Sequence, residues 1–284
     1  MNLPGGKFLT TLGAAAFLLV IGAPAAFAQG ATAPAAAPTG ASMNQMENRL
    51  YYLTDVQRQA NVDPSQQRAY DKFNKVGSEE LDKKIQLGTA FLHKYPQSPY
   101  TEAVDAGLTN AYFEKQDWND FFSYADKTLA MNPDEVDVLT SVGWVIPHQV
   151  NPGDSDAAQR LNTAEADAKH ALDVLAKMPK PKALSDEQFA AAKAQKAQQA
   201  HSALGLVYFR RGDYANSVNE LQQATQGTKG DQADLFVLGV DLQQLNRHSE
   251  AASAFTRCSQ MTGALQDRCK ESADDEAKLA HGGM

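Results

Sequence analysis

Apolar positions in the C-terminal half recur at helical spacing, and the whole pattern occurs twice. Leu204, Gly205 and Tyr208 precede Gly212, Tyr214, Ser217, Leu221 and Ala224; 34 residues on, Leu238, Gly239 and Leu242 precede Ala251, Phe255 and Cys258. Spacings of three and four within each set mark one face of a helix. The fixed period marks a helix–turn–helix repeat. Glycine at 205 and 239 lets the first helix of a repeat lie close against the second, while the large residues fill the space between neighbours. Upstream, Leu108 and Tyr112 take the same first-helix places, and Val142-Gly143 stands 34 residues after Leu108-Thr109. In the repeat at Leu108, Phe121 and Ala125 exchange the usual small and large residues. In the repeat at Val142, the second helix returns late, as Ala164, Ala168 and Ala171. The turn-rich stretch 147–154 is the expected insertion.

Local signals mark helix starts between these faces. Asn132-Pro133 and Ser98-Pro99 read as an N-cap followed by proline at the first helical position. Ser185 and Gln188 have capping-box spacing and open a long Ala/Gln/Lys-rich helix running into Gly205. Residues 265–280 read as a charged amphipathic helix closing the array. Strand signals are nearly absent.

This pattern resembles the tetratricopeptide repeat family, whose unit is W-x2-L-G-x2-Y, then G-x-Y, A-x3-F-x2-A and a late proline. K-T-L-A-M-N-P at 127–133 is similar to the family's K-A-L-x-L-D-P ending. F-L-H-K-Y-P-Q-S-P-Y at 91–100 is similar to helix endings in envelope members of the family, including the outer-membrane assembly type. The resemblance covers most of the chain, strongly in two repeats and more loosely elsewhere. It implies an all-α, right-handed superhelical stack of helix–turn–helix repeats, with an N-terminal signal segment and a C-terminal capping helix. Residues 47–100 form N-terminal helices and a degenerate repeat in this reading. Residues 101–180 hold two repeats, 181–262 the two well-matched ones, and 263–284 the cap and tail.

The N-terminus changes the picture of where the protein works. Lys7, an apolar run over 8–21 and Ala26-Phe27-Ala28 have the three parts of a secretory signal peptide, with cleavage expected between Ala28 and Gln29. The run is short for a membrane span and carries Gly13, with Gly22 just beyond it. An uncleaved anchor is the alternative. Residues 29–46 are dominated by Ala, Pro, Thr and Gly and read as a flexible linker. The expected product is exported, periplasmic or secreted, with no integral membrane segment. The chain carries a net charge of −8 from 26 basic and 34 acidic residues, and loss of Lys7 with the signal makes it −9. Neither nucleic acid nor an anionic membrane surface suits that balance.

Candidate chemistry is sparse. His93, His148, His170, His201, His248 and His281 show no metal-ligand spacing. No nucleophile elbow, phosphate loop or dinucleotide fingerprint occurs. No catalytic residue, metal or cofactor is therefore assigned, and the protein reads as a non-enzyme. Cys258 and Cys269 face an oxidising compartment if the chain is exported. In an antiparallel helical hairpin these positions approach to disulfide distance; the alternative is two separately buried thiols.

The resemblance places function in the concave face lined by first helices. By register, that face holds Asn110, Phe113, Glu114, Trp144, His148, Ser202, Leu206, Phe209, Arg210, Phe236, Val240, Gln243 and Gln244. Trp144, Phe209 and Phe236 form the expected apolar trough for a peptide or protein; the alternative is that the insertion or the long helix covers some of them. The leading expectation is an interaction scaffold, with a role in envelope assembly as its neighbour. A glycan-binding protein or hydrolase using the same groove is the alternative, though Glu114 is the one acid placed on its floor. A self-associating structural subunit is a third reading, which the charged C-terminal helix disfavours.

Overall fold

The computed structural model describes residues 62–151, 153–181, 184–227 and 231–282. The expected signal segment and Ala/Pro linker lie outside these residues. Among them eleven α-helices follow one another and no strand occurs. They are α1 (Pro64–Asn74), α2 (Leu81–Lys94), α3 (Thr101–Lys115), α4 (Trp118–Met131), α5 (Val136–Gln149), α6 (Ala157–Lys177), α7 (Asp186–Arg210), α8 (Tyr214–Ala224), α9 (Gln232–Gln244), α10 (His248–Ser259) and α11 (Gln266–Ala280). Each helix from α2 onward packs on its predecessor, as a stack of helical hairpins does.

Side-chain caps set several helix starts. Asp63, Asp117, Asp213 and Asp231 each accept a backbone N–H of the first turn. The capping box at α7 is formed: Ser185 Oγ accepts Gln188 N at 3.1 Å, and Gln188 Oε1 accepts Ser185 N at 2.9 Å. The two Pro-containing starts differ from expectation. α3 begins at Thr101 and α5 at Val136, so Pro99 and Pro133 lie in the turn before each helix. Ser98 Oγ and Asn132 Oδ1 accept from the residue two positions on, at 3.2 Å in both cases, which folds a tight turn there in place of an N-cap.

One register position turns each regular hairpin. Eight residues after Leu108, Leu204 and Leu238 stand Gln116, Gly212 and Asn246, and all three have positive φ (57°, 74° and 55°). That left-handed residue ends the first helix and starts the return. At the corresponding place after Val142 stands Val150, a β-branched residue that stays extended at φ −72°. The second hairpin therefore cannot use the tight turn, and a longer connection, 150–156, reaches α6. This shifts the expected insertion: α5 continues through Pro147 to Gln149.

The core alternates close approach with bulk. A Cβ on Gly205 would stand 2.5 Å from Leu221 Cγ, and one on Gly239 2.5 Å from Phe255 Cε1. At Gly143 the neighbours are Ala164 O at 3.2 Å and Ala168 Cβ at 3.4 Å. Phe255 is buried and cannot swing aside. Gly239→Ala is therefore expected to lower stability by about 1–3 kcal/mol in urea unfolding, overriding the roughly 1 kcal/mol that alanine gains in helix propensity. Gly143→Ala, with looser neighbours, is expected to lose less.

α6 and α7 are the long helices, and their far halves share a small core of their own. Val136, Leu175, Met178, Leu184 and Ala192 are buried there, with Phe189 packed against them. Beside it, the Lys196 ammonium of α7 lies 2.8 Å from the Asp137 carboxylate of α5, with both side chains almost wholly buried. At the C-terminal end, Cys258 and Cys269 form a disulfide joining α10 to α11. No helix among the described residues is long and apolar enough to cross a membrane.

Candidate functional site

The first helices of successive hairpins touch side by side: α3 meets α5, α5 meets α7, and α7 meets α9. The second helices pack mainly on the first helices before and after them. The register positions named above thus fall along one row of neighbouring helices.

Aromatic rings run along the N-terminal part of that row. The Phe113 ring of α3 lies 5.8 Å from Trp144 of α5 and 6.2 Å from Trp118 at the start of α4, edge-on to both. Trp144 in turn lies 3.9 Å from the His148 ring, one helical turn on. The two edge-to-face contacts of Phe113 suit the ring quadrupoles. All four rings are partly exposed. Trp144 also packs against the buried clusters of the N-terminal hairpins, of α6–α7 and of α9–α10, so it joins the halves of the array as well as lining the row.

His148 and Arg210 fix the end of α5. His148 Nδ1 lies 2.7 Å from Trp144 O; a carbonyl only accepts, so Nδ1 carries the proton and donates. Burial holds this imidazole below its ordinary pKa, the Trp144 carbonyl opposes that, and the Arg210 charge adds to it. The ring is therefore neutral at pH 7. Arg210 Nε donates to Pro147 O at 2.8 Å. This places a cation at the negative end of α5, and burial pulls its pKa below the usual guanidinium value.

The remaining predicted positions divide into three groups. Asn110, Phe209 and Val240 are half-buried, and Glu114 and Gln244 are exposed. Although Glu114 is exposed, partial desolvation by its neighbours raises its carboxyl above the ordinary range, Lys84 opposes the rise and Glu79 adds to it. Leu206 is buried, and Ser202 is buried with its hydroxyl on Asp234. The third group meets the cap. Phe236, expected as an open anchor, is 4% exposed, with Phe255 at 5.6 Å and the Arg268 guanidinium of α11 at 4.9 Å over its ring. Gln243 Nε2 donates to Glu276 of α11 at 2.7 Å. There are two physical reasons: the place of Phe236 is that of Thr140 and Ser202, which is buried between helices in those repeats too, and α11 lies where a further repeat would stack.

Trp118 is the member of the row that sequence reasoning passed over. The register places only first-helix residues on the face, and Trp118 opens a second helix, directly after the Asp117 cap. The signal available was an aromatic residue just after a helix-capping aspartate.

On another side, α8 and α10 border a cleft of about 360 Å³ lined by Gln222, Thr225, Gln226, Glu250, Ser253 and Arg257. Arg257 Nη2 is engaged there by Thr225 O at 2.6 Å. Three histidines tie neighbouring elements together: His170 to Asp134, His201 to Glu220 and His248 to Glu276, each at 2.7 Å. Among the described residues no histidine bonds a serine, threonine or cysteine, and no group of three His, Cys, Asp or Glu is placed to hold a metal ion. No family model matches the chain, and no curated protein matches it.

Proposed function

We propose that the protein is an exported, non-catalytic interaction scaffold of the tetratricopeptide type, which holds a protein or peptide along the face made by α3, α5, α7 and α9. The observation that carries this reading is the row of partly exposed rings Trp118, Phe113, Trp144 and His148, with half-buried Phe209 on α7 packed against the same cluster as Trp144, and exposed Glu114 on α3 and Gln244 on α9. Rigid aromatic side chains bring large contact area with little entropy to lose, and polar margins set register. A role in assembling the cell envelope is the pathway that the 91–100 element suggests by likeness.

The test is affinity capture from envelope extract with wild type beside a Glu114→Arg/Gln244→Arg variant. Both substitutions fall at exposed positions, so folding is expected to be unchanged, as circular dichroism checks. The expected result is a partner retained by wild type and reduced at least tenfold by the variant. Equal capture by both moves the binding surface elsewhere. Capture of glycan in place of protein favours the alternative, a glycan-binding groove. Trp144→Ala is a poorer test, because removing a ring shared by three packed clusters costs about 3–5 kcal/mol of stability.

A further inference from the structure

The interface between the α7–α8 and α9–α10 hairpins contains two buried carboxyls on one helix. Asp234 and Asp241 stand seven residues apart on α9, two turns along the same face. Each meets a serine of the preceding hairpin. Ser202 Oγ of α7 lies 2.8 Å from Asp234 Oδ1, and Ser217 Oγ of α8 lies 2.5 Å from Asp241 Oδ2. All four side chains are buried.

Proton counting at Ser217 sets the state of Asp241. The hydroxyl has one proton and two acceptors: Asp241 Oδ2, and the Gly205 carbonyl at 2.8 Å. Both contacts are satisfied at once when Asp241 carries the proton, donates to Ser217 Oγ, and Ser217 donates to Gly205 O. An ionised Asp241 would be a poor tenant, because its Oδ1 is buried and has no hydrogen-bond partner. Gly205 makes this relay reachable, since α8 lies so close there that a Cβ would stand 2.5 Å from Leu221 Cγ.

Charges on the surrounding helices do not compensate either carboxyl. On α7, His201 pairs with Glu220 of α8, and Arg210 is held by Pro147 O. On α10 and its start, Arg247 pairs with Glu250, His248 with Glu276, and Arg257 with backbone carbonyls. From α11, Arg268 covers Phe236 and Glu276 is taken by His248 and Gln243. Asp231, the α9 cap, adds like charge near Asp234. Among the described residues no cation lies within 4.0 Å of either group.

We infer that this joint is held closed by un-ionised Asp234 and Asp241, and that it loosens as the two carboxyls lose their protons. Desolvation works in the same direction, lifting Asp234 to about 7 and Asp241 to about 8. The sign follows by linkage. In the opened joint both carboxyls titrate near the ordinary value of 3.8. The closed form therefore holds extra protons between about pH 4 and 8, and opening grows by about tenfold per pH unit for each carboxyl it exposes. Above about pH 8 the dependence levels off. Opening would part α9, which carries Val240 and Gln244, from α7, which carries Phe209, so the proposed binding face breaks at the same joint.

Amide hydrogen exchange on the full chain tests this, with rates corrected for intrinsic exchange at each pH and α2, which buries only Gly88 and Phe91 and no carboxyl, as internal reference. Protection of α9 is expected to fall by tenfold or more per unit between pH 5 and 7. In Asp234→Asn/Asp241→Asn, whose amides keep a donor and never ionise, that dependence is expected to vanish. Protection of α9 that stays constant from pH 5 to 8 in wild type, or that falls equally in the variant, overturns the inference. Carbon-13 titration of the wild-type aspartate carboxyls supplies a readout independent of the variant. Titration of the assigned Asp234 and Asp241 carboxyls near 7 and 8 supports the joint, and titration of both near 4 overturns it.

Discussion

Lys196→Ala is expected to be among the most damaging single substitutions, lowering stability by about 3–5 kcal/mol in urea or thermal unfolding. The ammonium is the partner of Asp137, at 2.8 Å, and both side chains are about nine-tenths buried. Truncating the lysine leaves a carboxylate at the start of α5 with neither its cation nor water. That cost exceeds what the pair itself contributes, because much of the Coulomb attraction offsets the desolvation of both charges. The double replacement Asp137→Leu/Lys196→Met removes both charges while keeping volume. It is expected to unfold within about 1 kcal/mol of wild type, or above it. A single substitution that is mild, or a double that is as damaging as the single, would show that the pair is not dry.

Removal of the disulfide is the second large effect. Cys258 and Cys269 are buried, and their Cα atoms are 5.7 Å apart across eleven residues of chain. Closing a loop of that size is worth about 3 kcal/mol. The loss in Cys258→Ala/Cys269→Ala is expected to fall mainly on α11. That helix buries only Cys269, Ala273 and Glu276, a stripe with little apolar area. Two polar clasps remain. Gln232 bridges the α10–α11 turn, donating to Met261 O at 2.9 Å, and Glu276 accepts from Gln243 and pairs with His248. Hydrogen exchange should show α11 amides losing about a hundredfold of protection or more, while α3 to α6 stay unchanged. Uniform loss along the chain would instead mean that the whole array unfolds as one unit.

The helices were legible where the pattern was strict. The pairs Gly205/Leu221 and Gly239/Phe255 announce close approach by size alone, and the structure packs each glycine under its large partner. Ser185 and Gln188 announced a helix start that the backbone geometry repeats. Boundaries around proline were less legible. Pro147 is tolerated inside the last turn of α5, and its carbonyl is taken by Arg210, 63 residues away in sequence. No local rule reads such a bond.

The face was legible in part, for a related reason. A register tells which residues point to one side of a helix, but not what arrives from another helix to cover them. Phe113, Trp144 and His148 come together because α3 and α5 are neighbours in the stack. Phe236 stands on α9 four residues before the place that matches Trp144, at the place of buried Ser202, and is covered by Phe255 and by Arg268 of α11. Trp118 joins the row from a helix to which the register assigned no part in it. The buried acids were invisible for the same cause: Asp241 reads as an ordinary helix residue until Ser217 and Gly205 are placed beside it.

The most direct test of the proposed binding face is site-specific photo-crosslinking, with p-benzoylphenylalanine placed singly at Gln244 on α9 or at Ser253 on α10. Gln244 is an exposed margin of the aromatic row, and Ser253 lines the cleft between α8 and α10. The account predicts a covalent adduct with a peptide or protein partner from position 244 and none from position 253. An adduct from 253 alone would place recognition on the second helices and contradict the assignment of the first-helix row as the binding face.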